Sequence, residues 1–156
     1  MKRVLERVRP EYAPPPPGGG PGIAPPPPPP GEKDACVLLE REQRLEREIR
    51  NVSARSREGR RALRDVYSRS ERRARALRAD CFLRRGGREN AAPPARTHGG
   101  ALSSLREIHA GLEALAAGYE KAAAGDPRRR DMFRRFASEC VRDARWVRQL
   151  LDRAMR

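Results

Sequence analysis

Between residues 35 and 85 the apolar positions repeat with a period of seven. One series runs Ala35, Glu42, Ile49, Ser56, Leu63, Ser70, Leu77, and its companion runs Leu38, Leu45, Val52, Gly59, Val66, Arg73, Asp80. Leu38, Leu45, Ile49, Val52, Leu63, Val66 and Leu77 therefore share one stripe of the coiled-coil type. No proline falls between Glu32 and Asn90, so the spacing predicts one long helix over 35–85. The stripe is interrupted at Ser56 and Gly59, and a glycine inside a helix costs about 1 kcal/mol relative to alanine, so a kink is expected there. Acids precede arginines by four residues at Glu40/Arg44, Glu46/Arg50, Asp65/Arg69, Glu71/Arg75 and Asp80/Arg84, the order that supports a helix.

Residues 86–102 hold Gly86-Gly87, Pro93-Pro94 and Gly99-Gly100, the mark of a flexible linker. Residues 103–156 then predict a helical hairpin. Its first helix, 103–124, opens on Ser104-Leu105-Arg106-Glu107, which fits a capping box, and carries Leu105, Ile108, Leu112, Leu115 and Tyr119 on one face. Gly111 and Gly118 are placed to let a neighbouring helix approach, and Gly125 suits a C-terminal cap. Asp126-Pro127 starts the second helix, 127–155, with Phe133, Phe136, Cys140, Ala144, Val147, Leu151 and Ala154 aligned. Two helices joined by a tight turn pack antiparallel.

Residues 1–34 read differently. Pro14–Pro17 and Pro25–Pro30 are unbroken proline runs about a glycine-rich break, favouring polyproline II and no packed core. Segment 14–30 is either a stiff spacer or a ligand for a polyproline-binding domain. The expected fold is thus all-α: a long coiled-coil-type helix followed by an antiparallel helical hairpin, with a disordered proline-rich N-terminus.

Composition narrows the function. The chain has 156 residues, a net charge of +14, 4% aromatic residues, and 32 arginines against 3 lysines. Arg, Ala, Gly and Pro are abundant together, as a GC-rich coding sequence also produces, so raw charge is a weak guide to partners. No apolar run reaches the roughly 20 residues of a membrane span, and the N-terminus lacks the apolar core of a secretory signal. Three cysteines without a CxxC pair indicate reduced thiols in the nucleus or cytoplasm. On one continuous helix Cys36 and Cys81 stand tens of ångströms apart, at roughly 1.5 Å per residue, and do not pair. Cys140, on an apolar face, reads as a small buried hydrophobe. No catalytic motif, metal-ligand spacing or cofactor loop is present, and no carboxylate stands in an apolar setting.

Two functions fit. The first is a non-enzymatic adaptor or structural subunit, joining other helical subunits or itself through Leu38, Leu45, Ile49, Val52, Leu63 and Val66, with Trp146 as an anchor. The second is nucleic-acid binding through the basic helix 55–85 and the cluster after the turn: Arg60, Arg61, Arg64, Arg72, Arg73, Arg75, Arg128, Arg129 and Arg130. Residues 55–85 carry twelve arginines against four acids, but no base-reading module accompanies them.

Overall fold

The computed structural model describes residues 32–85 and 99–156, so the proline-rich head through residue 31, with its polyproline segment 14–30, and linker residues 86–98 lie outside the described residues. The described residues form four helices and no strand. Helix α1 spans Glu32–Arg55, α2 Arg57–Arg85, α3 Ala101–Gly125 and α4 Arg130–Ala154. None of these helices is long and apolar enough to cross a membrane.

The single helix expected over 35–85 is instead two helices folded back on each other. Ser56 is the one residue between them. Its Oγ accepts a hydrogen bond from the Gly59 backbone N–H at 3.1 Å, the geometry of a helix N-cap. Arg60 donates from Nε and Nη2 to the Ser53 carbonyl at 3.3 and 3.2 Å, serving an acceptor that the end of α1 leaves open. Gly59 eases so tight a return, because a Cβ there would lie 2.9 Å from Val52 Cγ1 and would force the valine to move. The physical gain is burial. A lone helix leaves its apolar stripe in water, whereas the hairpin lays the first half of the stripe against the second. Each large aliphatic side chain so covered contributes about 1.5–3 kcal/mol.

The partners across α1 and α2 step along the hairpin as antiparallel neighbours: Cys36 with Cys81, Glu42 with Arg73, Arg50 with Tyr67, Ser53 with Arg60. α3 runs antiparallel to α1. Leu38 lies against Gly118, Leu45 against Gly111, and Arg55 Nη1 donates to the Gly99 carbonyl at 2.5 Å. The approach is close at Gly118, where a Cβ would stand 2.8 Å from Leu38 Cδ2 and would oblige that side chain to shift. α4 returns beside α3 and also meets α2, with α2/α3 and α1/α4 on the diagonals. The result is a four-helix bundle with α1 and α4 pointing one way, α2 and α3 the other.

The core is one cluster drawn from all four helices. Tyr119 sits between Phe133 and Phe136, with ring centroids 6.1 and 5.4 Å away and the Phe136 contact edge-on at 69°. Two local expectations change. α3 begins at Ala101, so Ser104 lies within the helix and is buried, and no side chain caps Gly100. α4 begins at Arg130 rather than at 127, so Asp126 caps the intervening turn and not the helix, its Oδ1 accepting from the Arg128 and Arg129 backbone N–H groups at 3.1 and 3.3 Å.

Candidate functional site

The most concentrated chemistry lies in the middle of the bundle, where every helix contributes a polar group. Glu42 of α1 is fully buried. It accepts hydrogen bonds from Ser70 Oγ (2.6 Å), Arg73 Nε (2.5 Å) and Tyr119 OH (2.7 Å). Arg73 of α2 is fully buried as well, and its Nη1 points between α4 carboxylates, 3.5 Å from Glu139 Oε2 and 3.6 Å from Asp143 Oδ2. Arg69 grips Asp143 at 2.6 and 2.9 Å, and Arg72 reaches Glu139 at 2.5 Å. Three guanidinium groups thus face three carboxylates, and the network is neutral.

Burial opposes the charge on Arg73, but the adjoining Glu42 carboxylate outweighs it and holds the guanidinium above its ordinary pKa. Burial, and then the negative Glu42, push the Tyr119 hydroxyl well above the usual tyrosine range. That phenol therefore stays a donor. Burial pushes the neighbouring Cys140 thiol up to about 12 against the pull of Arg73. Thiolate is the reactive form. Iodoacetamide at pH 8 is therefore expected to modify Cys36 and Cys81 in the folded protein and to spare Cys140. Peptide mass spectrometry reads this, and equal labelling of all three would mean that the bundle opens readily.

The contacts of the arginines correct three expectations. Arg73 is enclosed and ion-paired, so it is not a nucleic-acid contact. Arg129, 14% exposed, pairs with Asp80 and Asp126 and is withdrawn from the basic surface too. Arg69 passes over the expected Asp65 and pairs across the bundle with Asp143.

The stripe residues Leu38, Leu45, Ile49, Val52, Leu63 and Val66 are all buried in the chain's own core. Trp146, 36% exposed, donates from Nε1 to the Ala62 carbonyl at 2.8 Å, tying α4 to α2, with Arg153 over its ring. Arg72 is largely exposed yet paired, and Arg75 pairs with Glu71 at 2.9 Å. Arg128 and Arg130 are exposed beside the α3–α4 turn.

The surface of the α1–α2 hairpin carries two further features. Near its closed end a groove of about 560 Å³ is lined by Arg50, Arg60, Arg61, Arg64 and Tyr67. Arg50 donates to Tyr67 OH at 2.7 Å, and that bond raises its pKa. At the open end Val37 is 45% exposed, Phe82 61% and Leu83 83%. Val37 and Phe82 each follow a cysteine of the Cys36/Cys81 pair by one residue. In antiparallel helices that step turns both side chains toward the same side, away from the core. No sequence argument had singled out this apolar end; consecutive large apolar residues at 82–83, off the seven-residue stripe, were its signal.

Comparison with protein-family models, with curated proteins and with solved structures found no match for this chain.

Proposed function

We propose that the chain is a non-enzymatic adaptor or structural subunit of a multiprotein complex, docking a helical partner on the outward face of its α1–α2 hairpin. The observation that carries this reading is the exposure of Phe82 and Leu83 beside Val37 at the hairpin's open end. Large apolar side chains grouped in water favour a partner that covers them. The groove toward the hairpin's closed end, where four arginines outnumber Glu71, supports a partner helix that bears acidic residues toward one end and apolar residues toward the other. A scaffold role also suits the bundle centre, where buried acids and bases occupy one another.

The groove supports a second reading, nucleic-acid binding, now centred on Arg60, Arg61 and Arg64. All three are exposed and adjoin the Tyr67 ring, a surface suited to phosphate.

Affinity purification of the tagged full-length chain, with and without nuclease, separates the two. The adaptor reading expects a short set of stoichiometric partners that survives nuclease. It expects the double variant Phe82→Ser with Leu83→Ser to reduce their recovery at least tenfold while helicity is retained. Partners that vanish with nuclease, and with Arg60→Gln, Arg61→Gln and Arg64→Gln, would replace it with the second reading.

A further inference from the structure

We propose that Cys36 and Cys81 form a thiol–disulfide modification site, closing reversibly into an intramolecular disulfide by exchange with a small disulfide of the glutathione type. The hairpin fold creates the site. Forty-five residues separate the two cysteines, yet their Sγ atoms lie 3.0 Å apart across the α1–α2 seam. Both are partly exposed, so a small disulfide can reach them, whereas Cys140 is enclosed in the core. A disulfide sets its sulfurs at about 2.0 Å, so bonding asks the two side chains to close by roughly 1 Å. Rotation of two short side chains on helix ends supplies that.

The exchange balances without a further reagent. One cysteine, as thiolate, attacks a sulfur of the small disulfide, and a protein mixed disulfide forms as the first small thiolate leaves. The other cysteine, also as thiolate, attacks the protein sulfur of the mixed disulfide and expels the second small thiolate. Two protein thiols are oxidised, one small disulfide is reduced to two thiols, and the two protons end on the departing thiolates. Excess reduced thiol reverses both steps. Disulfides are rare in a reducing compartment, and those that form there are usually transient and redox-sensing.

The bond ties the beginning of α1 to the end of α2. Val37 and Phe82 lie one residue beyond its two ends, so oxidation fixes the spacing of the apolar face there. That consequence rests on the proposed docking role; the bond itself does not.

The test uses the full-length chain equilibrated with graded mixtures of reduced and oxidised glutathione, quenched in acid and read by mass spectrometry and thermal melting. The expected result is one two-electron transition, the loss of two hydrogens' mass, and a cross-linked peptide containing Cys36 and Cys81. The melting midpoint of the oxidised chain is expected to rise by about 5 °C or more, because the bond restricts the unfolded state. Cys36→Ser is expected to keep its helicity and to lose both the cross-link and the rise. Separate glutathione adducts on Cys36 and Cys81, a link between chains, a link to Cys140, or a lowered midpoint would each overturn the proposal. Since the readout is mass and heat, a failure of the docking role leaves this result unaffected.

Discussion

Replacing Glu42 with leucine is expected to destabilise the bundle by about 3–5 kcal/mol, the loss typical when one member of a buried ion pair is removed. Glu42 is the sole acceptor described for Ser70 Oγ and Tyr119 OH and the closest carboxylate to Arg73. Its removal strands two hydroxyl donors and leaves a guanidinium that water does not reach, with only the longer Glu139 and Asp143 contacts remaining. The network makes a sharper expectation for the pair. Glu42→Leu with Arg73→Met removes both charges together, while Arg69 and Arg72 still neutralise Asp143 and Glu139. The double variant is therefore expected to regain most of the stability that the single variant loses. Urea unfolding of the four chains of this cycle measures both effects. A loss under about 1 kcal/mol in Glu42→Leu would mean that water enters the centre and that the charges are solvated.

Leu45→Asp is expected to abolish cooperative folding at room temperature. Leu45 is 3% exposed and lies on the side of α1 that packs on α3, beside Gly111. Truncating a buried leucine costs about 2–5 kcal/mol, and an unpaired carboxylate in that place adds several more. The sum rivals the roughly 5–15 kcal/mol that stabilises an ordinary domain. Far-UV circular dichroism during heating checks this, and a native-like melt would show that α1 does not dock on α3 as described. The prediction bears on function. A stripe variant that loses its cellular partners has lost its fold, so it says nothing of an interface. Variants at Phe82 and Leu83 probe the surface itself.

The helical character of the chain, and the extents of α3 and α4 to within a few residues, follow from apolar spacing and the Asp126-Pro127 turn. The buried centre was half legible. Glu42, Ser70 and Arg73 occupy positions of the two seven-residue series, where each looks like a defect in a seam. The hairpin turns those defects into partners: folding at Ser56 brings Glu42 level with Ser70 and Arg73. Glu139 and Asp143 carried no such mark, because they flank the apolar face of α4 and acquire their roles only from the α2 arginines opposite. Cys36 and Cys81 show the same dependence, being remote along one helix and adjacent across two.

The sequence alone determined which segments are helical, which faces are apolar, and that the chain carries a strongly positive net charge. These follow from local backbone preferences and from the period of apolar side chains, properties of near neighbours. Whether Ser56 and Gly59 bend one helix or end it, and which charges are buried and which face water, was decided by the tertiary structure. The reason is energetic: a break in a helix is repaid only by the burial it permits, and that burial depends on residues far away in the chain.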